Sequence, residues 1–178
     1  LATIGTQFAQ NVLADESGFT LVLDGPDDLA GLPESVVAAA AETAAERGLH
    51  GKHVITLSRS SIEPFLTFST RRDLREKAFG TWVKRGEFGG KTDNRALISE
   101  TIALRAERAR LMGYGTYAEF RLADTMAKTP AAVRDLLESV WWPARARAAD
   151  EAAALQKEIA ADGGNFKLAP WDWRFYAE

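Results

Sequence analysis

TPAAVRDLLESVWWPARARAADEAAALQKEIAADGG, residues 129–164, is the stretch that decides the fold. Thr129 followed by Pro130 is a strong helix start, a capping hydroxyl ahead of a proline whose missing N–H costs nothing at the first helical position. Val133, Leu137, Val140, Ala144, Ala148, Leu155 and Ile159 then recur at spacings of three, four and seven, the signature of one apolar helical stripe. Gly163-Gly164 terminates the run. Pro143 lies inside it and is expected to bend or divide the helix, because proline removes one ladder bond and crowds the preceding turn. On this periodicity Trp141 and Trp142 belong to packed core.

The same helical grammar extends upstream. Leu97, Leu104 and Leu111 recur every seven residues between a capping Asp93 and Gly113, and a short helix is expected from Tyr117 to Ala123. Leu74, Ala78, Phe79, Trp82 and Val83 mark another face, with Thr70 and Asp73 as a capping pair. Residues 58–69, interrupted by Pro64, read as a loop with a short turn of helix. Ile4, Phe8 and Val12 predict a helix over 4–14 with one buried stripe. Pro33 opens an Ala-rich helix that ends at Arg47-Gly48.

Two short β-branched or apolar runs stand apart, Phe19–Leu23 and His53–Leu57. Asp24-Gly25-Pro26 ends the first as a turn. The two could pair across the Ala-rich helix, and such a pair must lean on the helices for stability. The fold class that follows is mainly α, a multi-helix segment 1–178 with one small antiparallel strand pair.

Composition narrows the function classes. The 178 residues are 46% hydrophobic and 26% charged, enough apolar mass to bury roughly 70% of the unfolded surface. Net charge is −3 with acidic and basic residues interleaved, which argues against a nucleic-acid partner. No apolar run is long enough for a membrane span, and no secretory signal is present. Cysteine is absent, excluding disulfides and thiolate metal sites and pointing to the cytoplasm. Phe166, Trp171, Trp173, Phe175 and Tyr176 crowd the end of the chain. Two readings offer themselves, a C-terminal segment docked back on its own domain or a cut through a larger protein, and the second is favoured.

No catalytic constellation emerges. The only histidines are His50 and His53. A zinc pair needs both imidazoles on one face plus a third ligand, whereas a spacing of three across a turn and strand turns them apart. Gly89-Gly90-Lys91-Thr92 resembles the end of a phosphate loop, but Arg85 stands where the leading glycine belongs, so it reads as a helix–helix connection. Ser58, Ser60 and Ser61 lack the glycine-flanked elbow and a partner histidine. Arg105, Arg108 and Arg110 spread around a helix beside Glu107, which reads as an ordinary solvated helix with one internal ion pair and not as a polyanion site. The sequence accordingly offers no catalytic and no metal-ligating residues, and assigns no substrate-binding ones.

Several longer words carry a resemblance. Asp73-Leu74-Arg75-Glu76-Lys77-Ala78, Lys91-Thr92-Asp93-Asn94-Arg95-Ala96-Leu97-Ile98 and the run from Leu104 through Tyr114 are similar to the zinc oligopeptidases that include thimet oligopeptidase and bacterial peptidyl-dipeptidase. Asp124–Pro130 and the closing Pro170–Glu178 resemble the peptidyl-dipeptidase branch in particular. The resemblance implies a cytoplasmic, mainly helical, two-lobed enzyme that releases C-terminal dipeptides from short peptides. It further implies one zinc ion held by a His-Glu-x-x-His helix and a downstream glutamate. None of those residues is present, so the resemblance casts these 178 residues as a non-catalytic, cleft-forming scaffold with no cofactor of its own. Its expected partners are the catalytic portion of the same polypeptide and, for the parent, short peptide substrates, with self-association through the Trp171–Tyr176 surface in isolation. The alternative is an independent helical interaction or regulatory module.

Overall fold

The first helix, α1, spans Ala2–Gly18, longer at both ends than the apolar spacing predicts. Its one buried residue is polar, Asn11, while Phe8 on the expected stripe is exposed. This helix is fastened by hydrogen bonds more than by an apolar seam. Residues 1–178 are all described by this computed structural model.

β1 (Leu21–Leu23) and β2 (His53–Ile55) pair antiparallel as expected, with Leu21 opposite Ile55, Val22 opposite Val54 and Leu23 opposite His53. Each strand holds three residues, shorter than the apolar runs that announced them. Between them lie a 3-10 turn, Pro26–Leu29, and α2, Glu34–Glu46. Pro33 stands one place outside α2 as its N-cap, and Gly48 (φ +72°) ends the helix with Leu49 N–H bonded back to the Ala44 carbonyl. Arg47 reaches across instead of serving its own helix end. It donates to the Phe19 and Ser17 carbonyls and to the Thr20 hydroxyl, tying α2 to the α1–β1 link.

Residues 59–68 overturn the loop expectation. They form a full helix, α3 (Arg59–Phe68), with Pro64 inside it. Ile62, Phe65 and Leu66 are all at most 2% exposed, and their spacing of three and four explains the outcome. Burial of three large side chains, each worth about 1.5–3 kcal/mol, exceeds the roughly 3 kcal/mol that an interior proline costs. With Leu21, Leu23, Ala40, Ile55, Leu57 and Ala78 these residues make the core.

α4 (Arg72–Val83) packs across α3. Its expected capping pair is not made. Thr70 instead gives its N–H and its hydroxyl to the Ala30 carbonyl, and Asp73 pairs with Arg71. Gly31 lies against this junction at φ +84°, where a Cβ would stand 2.3 Å from the Phe68 carbonyl oxygen.

The second half is looser. α5 (Arg95–Leu111) leads through a Thr116–Glu119 capping box into α6 (Tyr117–Leu122). α7 (Pro130–Ala161) begins as predicted, with the Thr129 hydroxyl accepting from Ala132 N–H and Pro130 in the first turn. It then runs 32 residues without division, so Pro143 does not split it. The short α8 (Trp173–Ala177) folds back against α3 and α7. No helix is long and apolar enough to cross a membrane.

Candidate functional site

The ends of the chain are held by two buried polar junctions. At the first, Asn94, 2% exposed at the start of α5, donates to the Phe8 carbonyl (3.1 Å) and accepts from Asn11 (2.8 Å). Gln7 in turn donates to Asn11, so each buried amide oxygen and nitrogen in the chain of contacts is used. Arg85 pairs with Glu16 at 2.6 Å, and Asp15 accepts from Gly86 N–H, adding two further ties to α1.

The second junction is ionic. Asp172 is wholly buried and accepts from Arg72 Nε and Nη2, from Arg75 Nη2 at 3.0 Å and from Ala169 N–H. Arg75 is buried too; its remaining donors meet the Ser69 carbonyl (2.6 Å) and the Trp171 carbonyl. Phe175 lies on the Arg75 guanidinium at 4.1 Å and Phe166 on that of Arg72 at 4.2 Å. Burial draws the Arg75 guanidinium below its ordinary value, and the bond to Asp172 opposes that shift. Burial likewise raises the Tyr176 phenol.

Trp171, Trp173, Phe175 and Tyr176 are half-buried, and α8 packs against α3 and α7, so the aromatic tail is in part covered by its own helices. The signal was present in part, since Arg75 and Asp172 both lie in the quoted words, but their pairing spans about a hundred residues.

The uncovered apolar surface lies elsewhere. Every residue from 134 to 151 on α7 is exposed, including Leu137 at 62% and Trp141 and Trp142 at 58% each. These tryptophans are therefore not core residues in this chain, contrary to the periodicity reading. Val133, Leu137, Val140 and Trp141 lie side by side on one face of α7 along this stretch.

The remaining candidates are quickly placed. His50 is exposed in the turn before β2, and no group of three or more His, Cys, Asp or Glu side chains could hold a metal ion. The donor set does not fit zinc. Ser58, Ser60 and Ser61 line a cleft of about 330 Å³ between α2 and α3, where their hydroxyls bond Thr56 and one another with no histidine or carboxylate at the wall. Gly89-Gly90-Lys91-Thr92 is a turn joining α4 to α5, with Asn94 N–H closing onto the Gly86 carbonyl. Beside it Arg95 holds the Asp93 carboxyl at about 2, below the usual range. Arg105 and Arg108 make no ion pair; they lie over Tyr117 and Phe120, each at 5.3 Å, and so fix α6.

Residues 65–178 match the family described as Peptidase family M3. This chain belongs to that family. Among individual proteins it is 40% identical to the dipeptidyl carboxypeptidase of Escherichia coli K12 over 177 residues, 99% of this chain and 26% of that enzyme. It is 36% identical to oligopeptidase A of Haemophilus influenzae over 182 residues, all of this chain and 27% of that protein. Oligopeptidase A of Escherichia coli K12 shows the same identity over the same share. The chain thus spans about a quarter of the length of the curated M3 relatives it matches.

Proposed function

We propose that these 178 residues serve as a non-catalytic helical scaffold within a zinc-dependent M3 peptidyl-dipeptidase that releases dipeptides from the C-terminus of short peptides in the cytoplasm. The observation that carries this reading is the match along 99% of the chain to an enzyme named for dipeptidyl carboxypeptidase activity. The residues themselves supply framework, since two polar junctions fasten α1 and α8 around one apolar core, and no group of three or more His, Cys, Asp or Glu side chains could hold a metal ion. Zinc in the whole enzyme would be held by residues outside this set.

The test is an assay of the purified chain on internally quenched peptides, with and without added zinc. The expected result is cleavage no faster than buffer and no tight stoichiometric zinc. Chelator-sensitive turnover, or zinc held tightly through His50 and His53, would overturn the scaffold reading. The second reading, an independent interaction or regulatory module, draws on the bare apolar surface of α7. Sizing the native gene product separates the two, because the scaffold reading requires a polypeptide far longer than 178 residues.

A further inference from the structure

α7 is built of two unlike halves. Leu136, Leu137, Val140, Trp141 and Trp142 make the N-terminal half bulky, whereas every apolar residue from 144 to 154 is alanine. Val133, Leu137, Val140, Ala144 and Ala148 share one face, within about 80° of one another at 100° per residue. Beyond them the returning chain covers the helix, since Ile159 is fully buried and Gln156 clips the Phe166 carbonyl and Leu168 N–H. From 134 to 151 every residue is exposed. At about 1.5 Å per residue that is a bare rod on the order of 27 Å long.

Trp141 borders the apolar face, and just beyond it Arg145 and Glu138 stand on one rim, about 40° and 60° further round. Arg147 and Glu151 pair with each other along the helix, but Glu138 and Arg145 have no ion pair in their own chain. Arg145 rests only on the Trp142 ring, 6.0 Å away. A parallel copy of α7 would set Leu137 on Leu137 and Ala144 on Ala144, crowding one half and leaving a gap along the other. An antiparallel copy reverses this. With a two-fold axis level with residue 142, facing residues lie equally far from 142 on either side. Val140 then meets Ala144 and, to within one residue, Leu137 meets Ala148, bulk against alanine in both directions. The same axis brings Glu138 within one residue of Arg145, on rims that an antiparallel pair places side by side.

We infer that α7 pairs antiparallel with α7 of a second copy of this chain. Leu137 and Val140 of each copy seat against Ala148 and Ala144 of the other, and Glu138 pairs with Arg145 twice. One register satisfies both the sizes and the charges, and that agreement selects the second copy as occupant. Because each copy offers the same patch, the contact closes at two. Five turns of helix on helix bury on the order of 1,000 Å², the small end of specific interfaces, so the pair is of micromolar strength. The Trp171–Tyr176 surface, half-buried on its own helices, takes no part in this seam. The pairing is independent of the scaffold reading, which concerns catalysis.

Sedimentation velocity of the purified chain, over a concentration series through the micromolar range, tests this beside three variants. Leu137, Glu138 and Arg145 are all exposed, so each variant should keep its fold, checked by an unchanged circular dichroism melt at low concentration. The wild type should pass from monomer to dimer and no further. Leu137→Glu should remain monomeric throughout. Arg145→Glu should raise the dissociation constant at least roughly ten-fold, because like charges then meet at both ends of the seam. The swap Glu138→Arg with Arg145→Glu should return it close to the wild-type value, which an antiparallel register alone provides. A wild type that is monomeric at every concentration overturns the pairing, as does a dimer indifferent to Leu137→Glu or a species that grows beyond two copies. A charge swap that fails to recover overturns the register. Peptide cleavage by the chain would overturn the scaffold reading and leave the pairing untouched.

Discussion

Replacing Asp172 with alanine removes the one carboxylate shared by Arg72 and Arg75. Asp172 is wholly buried and Arg75 is about as enclosed, so the substitution strands a guanidinium that water cannot reach. Stranding one partner of a buried pair costs about 3–5 kcal/mol. Arg72 is a third exposed, and its bidentate bond adds little because water replaces it. The Ser69 and Trp171 carbonyls still accept from Arg75, which places the expectation near the lower figure. At about 2–4 °C per kcal/mol for a chain of this size, the midpoint of thermal unfolding should fall by roughly 6–12 °C. Urea denaturation of the single variant, of Arg75→Met and of the double variant measures the coupling. If Asp172→Ala costs as much in the Arg75→Met background as in the wild type, the carboxylate does not act through Arg75 and the reasoning fails.

Three further expectations follow from other contacts. The Tyr176 phenol is raised by burial, so its contribution to stability is complete below its unfolded value near 10 and is lost as pH rises through the folded one. Tyr176→Phe should flatten the alkaline limb of a stability-versus-pH curve, and an unchanged limb would count against it. Gly31→Ala places a Cβ 2.3 Å from a backbone oxygen at φ +84°, and should lose about 2–4 kcal/mol in urea melts, with full stability retained as the contrary result. Asn94→Ala leaves the Asn11 amide and the Phe8 carbonyl without their partner, at about 1–3 kcal/mol. Amide exchange should then quicken along α1 with α3 unaffected, whereas uniform quickening would deny that Asn94 acts locally.

Much of the fold was legible because its signals are local. The Thr129-Pro130 start of α7, the Gly48 stop of α2 and the two strands each depend on residues within a few positions of one another. Pro64 misled because a proline's cost is read locally while its compensation is tertiary. Around Pro64 the compensation is the burial of Ile62, Phe65 and Leu66. At Pro143 one ladder bond is missing but the helix runs on, and the structure offers no packed neighbour there to explain it. The Asp172 junction was invisible to periodicity because its partners lie about a hundred residues away, and α1 because amides, with no hydrophobic rhythm, secure it. Trp141 and Trp142 obeyed the core pattern yet stand exposed. Pattern reports what a side chain is suited to meet, and the partner can lie outside these residues.

The layout of the core also sets an order of events. Every member of the apolar cluster falls between Leu21 and Ala78, so that nucleus can close through short loops. The buried polar junctions of the two terminal helices close over longer separations, 83 and 100 residues, through groups that hold little until their geometry is complete. Native-state unfolding should therefore proceed in tiers, the two ends releasing as separate units at low free energy while the β1–β2 and α3 region persists to global denaturation.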